Sequence, residues 1–179
     1  MNTQNELNFI LNDLKLSHIE EQSYTNNIVR LVMGNDLSCV ISAHLYVENK
    51  LDEFLENYTN GQYEFIKLAA LTYNQKVYIS GYLGLGDEYI KPLAFAGNLR
   101  NSFAHNIDRK LSKNDVDNFL KTHSAQHVDE IKKLTLNFKG IDAINRLYIS
   151  LIMTRLYGYL YGRVQVFKAL EKHRTIKRD

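Results

Sequence analysis

NDLSCVISAHLYVENKLDEFLENY, residues 35–58, is the stretch on which the reading of the whole chain turns. Leu37, Val40, Ile41, Leu45, Leu51, Phe54 and Leu55 recur mostly at steps of three and four. Residues at those spacings stack on one side of a helix, so the pattern predicts an α-helix with one face turned to a core. Asn35 or Asp36 can supply the side-chain oxygen that caps its start, and the pattern runs to about Tyr58. His44 and Glu48 fall on the same side as the stripe, which puts two ionisable groups on a face meant for the core.

The helical period continues on both sides. A first helix is expected from Glu6 to about Glu21, with Leu7, Ile10, Leu11, Leu14 and Ile19 on one side, followed by the polar joint EQSYTN. Another is expected between about Tyr63 and Ile79. GYLGLGD, residues 81–87, is rich in glycine, but no Lys-Ser or Lys-Thr follows it and no parallel strand precedes it. It reads as a helix stop and a new cap at Asp87. The helix from there to about His105 has Ile90, Leu93, Ala96, Leu99, Phe103 and Ile107 as its inner side, with Pro92 in its first turns. Ser112 and Asp115 have the spacing of a capping box. Beyond Thr122 the boundaries stay open, although Val128, Ile131, Leu134, Leu136 and Phe138 show that this is no free linker.

The last helix is expected from Ile141 or Asp142 to about Lys172, apolar on more than one side between Ile144 and Leu160. Such a helix is buried between others or against a second subunit. Gly158 and Gly162 would let a neighbouring backbone approach it. With one proline and few strings that alternate apolar with polar, the fold class is all-α. We expect a single domain over residues 1–179, a helical bundle with a long C-terminal helix.

Composition narrows the function classes. The net charge of +2 is too small for a surface that coats nucleic acid, so any contact with RNA or DNA must be local. The basic end EKHRTIKRD reads as a solvated helix terminus whose cations favour the dipole. A single cysteine, Cys39, makes no internal bridge, and MNTQNELNFI lacks the pattern of a secretory signal, so a reducing cytoplasm is expected. LYISLIMTRLYGYLYG, residues 147–162, is interrupted by Arg155. It falls short of the roughly 18 apolar residues of a spanning helix, so no membrane is expected.

Few motifs carry chemistry. His44 with Glu48, and His123 with His127, have the one-turn spacing of metal ligands, but no HExxH and no third ligand accompany either pair. Neither a metal nor a cofactor is expected. No GxSxG elbow is present, and Cys39 lies in an apolar patch where a thiol stays protonated.

NLRNSFAHN, residues 98–106, is different. Arg100 is a permanently charged planar fork suited to a phosphodiester, and His105 can exchange a proton near neutral pH. RNA cleavage without a metal needs such groups: a base for the attacking 2′-hydroxyl, an acid for the leaving oxygen and a cation for the added negative charge. Asn101 can orient the phosphate or the histidine. Five residues along a helix turn roughly 500°, which leaves Arg100 and His105 roughly 140° apart around the axis. Either the helix ends near Ala104 and His105 swings round, or two copies meet across a twofold axis and share one site. The plain alternative is a helix C-terminus stabilised by its own dipole, with Arg100 paired to a buried Glu48.

RNSFAH, residues 100–105, resembles the R-x-x-x-x-H signature of the HEPN superfamily, with Asn101 at the polar position after the arginine. HLYVENKLDEFL, then a helix, then LAFAGNLRNSFAHN is similar to HEPN-like proteins related to the mannitol operon repressor family and to stand-alone HEPN toxins. The likeness covers roughly residues 36–120. It implies a bundle that forms a homodimer through its motif helices and, in many members, cleaves RNA as a toxin or in phage defence. Arg100 and His105 take the catalytic roles by position, Asn101 assists, and Glu48 and His44 support Arg100 or His105 from behind. An antitoxin or regulatory protein is the implied partner. Toxins paired with nucleotidyltransferase antitoxins often carry tyrosine two residues after the histidine, where this chain has Ile107. The other reading within the resemblance is a non-catalytic transcriptional regulator like the mannitol operon repressor, acting through protein partners.

Overall fold

A computed structural model of the chain describes residues 30–59, 70–136 and 143–176, with the side chains of the last helix described as far as residue 170. The expected helix over residues 6–21, residues 63–69, Phe138, the start of the last helix at 141–142 and the basic side chains at the C-terminus lie outside the described residues. The fold is all-α, with no strand among the described residues. After a helical turn at residues 30–33 come α1 (Asp36–Tyr58), α2 (Tyr73–Tyr82), α3 (Asp87–Ala104), α4 (Lys113–Leu120), α5 (Ala125–Thr135) and α6 (Ile144–Ile176). No helix among the described residues is long and apolar enough to cross a membrane.

Local chemistry sets the helix starts. Asn35, not Asp36, caps α1: its Oδ1 accepts from the Ser38 N–H at 2.8 Å, and the Ser38 hydroxyl accepts in return from the Asn35 N–H at 3.1 Å. Thr72 with Gln75 builds a second capping box on α2, and Ser112 with Asp115 the expected one on α4. GYLGLGD is a helix stop, as its glycines suggest. Gly84 takes a φ of +93°, Leu85 N–H reaches back to the Ser80 carbonyl at 2.9 Å, and Gly84 N–H to the Gly81 carbonyl at 3.1 Å. These are the paired bonds of a left-handed helix terminus. The cap of α3 is Gly86, with Asp87 its first residue, so the acidic side chain meets the helix dipole rather than the orphan N–H groups.

α1 and α6 lie side by side and run in the same direction. Cys39 meets Ser150 at 3.5 Å, Lys50 lies over the rings of Tyr157 and Tyr161, and Glu53 binds Lys168 at 2.7 Å. α2 runs with α1 and against α3. Their shared core includes Val40, Val47, Leu51, Phe54, Leu93, Phe103, Phe119, Ile152 and Leu160. Along α1 the buried stripe is Cys39, Val40, Ala43, His44, Val47, Leu51, Phe54 and Leu55. Leu45, expected inside, is on the outer face, because small residues at 39 and 43 bring α6 onto a side that counting large apolar residues alone does not pick out. Ile107 is also exposed, since α3 ends before it. The middle of α6 is buried nearly all round from Leu147 to Thr154, as its apolar circumference requires. Among the described residues no neighbouring backbone approaches Gly158 or Gly162, and a methyl group at either would meet none of them within 4 Å.

Candidate functional site

Arg100 and Asn101 occupy the last turn of α3, half-buried and exposed respectively. The Arg100 guanidinium donates from Nη1 to Asn101 Oδ1 at 3.0 Å. Among the described residues no carboxylate pairs with it. Glu48 does not take that role, because Lys76 of α2 reaches across to it. The Lys76 ammonium lies 3.1 Å from Glu48 Oε1 and 2.9 Å from Asp52 Oδ1. Burial works against the Lys76 charge, but its bonds to Asp52 and Glu48 outweigh that and raise its pKa.

His44 sits on α1 one turn before Glu48 and is 1% exposed. Burial, then the positive charges of Arg100 and Lys76, push its pKa down from 6.5 to about 4. The ring is therefore neutral at physiological pH. Its Nδ1 stands 3.7 Å from Glu48 Oε2, beyond hydrogen-bond reach, and a neutral imidazole forms no ion pair there. Tyr73, the first residue of α2, packs its ring on His44 with centroids 4.4 Å apart. The same Tyr73 lies against Gly97 of α3, one turn before Arg100, where a Cβ would come within 2.5 Å of the phenol ring. Arg100 thus stands near a junction of three helices, in the electrostatic reach of a neutral histidine and with Glu48 and Asp52 of α1 taken by Lys76.

His105 is the C-cap of α3 and is exposed. The helix ends at Ala104, but His105 keeps φ −87° and ψ −12°, and its N–H still bonds the Asn101 carbonyl at 3.0 Å. It stays on the helical track, so the offset of roughly 140° from Arg100 persists within one copy. The segment after it is tied down on several sides. Arg109 binds Asp115 at 2.5 Å and lies over the Phe103 ring, and the Leu111 N–H donates to Asp36 Oδ2 at 2.9 Å. Asp36 in turn binds Arg146 at 2.8 Å, and Asn145 donates to the Leu111 carbonyl at 3.1 Å.

The structure therefore groups Arg100, Asn101, His44 and Glu48 in one neighbourhood and sets His105 on the outer side of the same helix end. Lys76, Tyr73 and Arg146 were not singled out in the sequence, and Asp36 only as a cap, because each acts across 24 residues or more, although Gly97 just ahead of the motif marks a close helix approach. His123 and His127 lie elsewhere: His123 Nδ1 is 3.1 Å from the Phe119 carbonyl, and the His127 ring is tilted towards that of Tyr89 with centroids 6.4 Å apart. Among the described residues no group of three His, Cys, Asp or Glu side chains converges as a metal ion needs. Cys39 is buried, and desolvation raises its thiol to about 11, which leaves it an unreactive core residue. No family model matches the chain, and no curated protein or solved structure matches it.

Proposed function

We propose that the chain is a HEPN-type endoribonuclease of the toxin or phage-defence kind, cytoplasmic, independent of metal and active as a homodimer. One observation carries this reading. The Arg100 guanidinium is held by a neutral amide, with Glu48 and Asp52 engaged by Lys76, so its charge is left for an external anion. A phosphodiester fits that planar fork. Two copies related by a twofold axis would place two Arg100 and two His105 side chains along one groove, which answers the offset within a single copy. One His105 then takes the proton of the 2′-hydroxyl as the 2′-oxygen bonds to phosphorus. The other protonates the 5′-oxygen as its bond to phosphorus breaks, and Arg100 holds the phosphate oxygens throughout. Asn101 orients Arg100 through the bond they share.

The purified chain is expected to cleave single-stranded RNA in EDTA and to sediment as a dimer. Arg100→Ala and His105→Ala are each expected to lower the rate by about 100-fold or more while the helical circular dichroism is kept. Cleavage that survives both substitutions would sink the reading. The outward position of His105 favours a second reading, a non-catalytic regulator in which the α3 terminus contacts a protein partner. Toxicity on expression, relieved by the His105 substitution, would count against that alternative.

A further inference from the structure

The junction of α1, α2 and α3 holds four buried polar atoms with no hydrogen-bond partner among the described residues: both ring nitrogens of His44, the Tyr73 hydroxyl oxygen and Asn74 Oδ1. Buried polar groups in native proteins are nearly always satisfied, so four orphans in one junction point to a shared role. Their chemistry is complementary. A neutral imidazole offers one N–H and one lone pair, the phenol an O–H, and the amide oxygen a lone pair, which makes two donors and two acceptors. Burial, then the charge of Glu48, raises the Tyr73 pKa, so the phenol remains a donor. The Glu48 carboxylate on the Nδ1 side of His44 favours the proton there, leaving the Nε2 lone pair to be filled.

The Tyr73 ring is already in contact with His44, and it is fixed from three directions. The Thr72–Gln75 capping box sets its place at the start of α2, Lys76 ties that turn to α1, and Gly97 admits the ring against the backbone of α3. We propose that Tyr73 is a positioning residue for Arg100: its hydroxyl, donating through one water molecule to Nε2 of His44, locks the imidazole within the electrostatic reach of the guanidinium. This rests on the reading of Arg100 as the group that holds phosphate. A ring free to turn, or to take a second proton, would displace or repel the guanidinium, whereas a locked neutral ring presents one unchanging surface to it.

The test is nitrogen-detected NMR on the full chain, comparing the wild type with Tyr73→Phe and with Tyr78→Phe, a change at an exposed tyrosine of the same helix. In the wild type His44 is expected to show a single tautomer. Tyr73→Phe should mix its two tautomers and speed solvent exchange of the Arg100 Nε–H about three- to tenfold, the factor expected for one lost hydrogen bond. Where RNA is cleaved, kcat/KM should fall with it. Tyr78→Phe should change none of these. An unchanged His44 tautomer and unchanged Arg100 exchange in Tyr73→Phe would overturn the proposal, as would equal effects from Tyr78→Phe. Neither NMR readout needs RNA, so a wild type that fails to cleave would overturn the ribonuclease reading and leave this one standing or falling on its own signals.

Discussion

At His44 the fold keeps an imidazole neutral at a position where the unfolded chain would charge it. The sign of the consequence follows from proton counting. Between pH 6.5 and about 4 the unfolded chain binds a proton at this residue that the folded chain refuses. The contribution is complete above pH 6.5 and is lost progressively as the pH falls towards 4. The full gap corresponds to about 3 kcal/mol at most. Urea midpoints are therefore expected to drop through this window in the wild type and to drop less in His44→Gln. His123, also lowered chiefly by burial, leaves a residual slope in that variant. Equal slopes in the two proteins would mean that His44 titrates normally. At this scale sequence supplied identity but not pairing. The one-turn spacing placed His44 and Glu48 on one face correctly, yet nothing local said that Lys76, 28 residues on, would claim the carboxylate and leave Arg100 with Asn101.

Among the elements, α2 is the one whose seating matters most, because it carries both Tyr73 and Lys76 to the site. Gly97 is what lets it lie so close to α3. A methyl at 97 would meet the Tyr73 ring at 2.5 and 2.7 Å, and that ring is wedged against His44. Gly97→Ala is expected to destabilise the protein by about 1–3 kcal/mol through overpacking, seen as a lower thermal midpoint. Gly158→Ala is the opposite case, since its methyl meets no atom of the described residues within 4 Å and alanine is the better helix former. That variant is expected to gain about 0.5–1 kcal/mol. A stabilised Gly97→Ala would show that α2 does not rest on α3 in solution. The two glycines look alike in sequence, each inside a helical pattern; only the packing around them distinguishes a required gap from an unused one.

For the whole molecule, Asp36 joins segments remote in sequence. One carboxylate oxygen accepts from the Leu111 N–H in the segment after the motif, and the other binds Arg146 of α6. Arg146 also donates to the Val32 carbonyl at 2.8 Å, ahead of α1. Asp36→Ala is expected to lose about 1–3 kcal/mol, because it leaves a largely buried N–H and a guanidinium without their acceptor. Hydrogen exchange should quicken first in residues 106–112, with α1 itself protected. Exchange that quickens uniformly would show that Asp36 steadies the bundle as a whole and not the segment that follows His105.

The amino-acid sequence determined by itself that this is an all-α protein, where α1, α3, α4 and α6 start to within a few residues, and where α2 stops, although not that α2 starts only at Tyr73 and not at about residue 63. Those properties are local: capping oxygens, a glycine at positive φ and the period of apolar residues act over one or two turns. Tertiary structure alone decided that Leu45 and Ile107 face outward, that Glu48 serves Lys76, and that Tyr73 packs between His44 and Gly97. It also kept His105 on the helical track, so that Arg100 and His105 point apart in one copy. Those outcomes depend on which helix meets which face, and burial makes them energetic matters: the charge of Arg100 is left open because its acidic neighbours bind elsewhere.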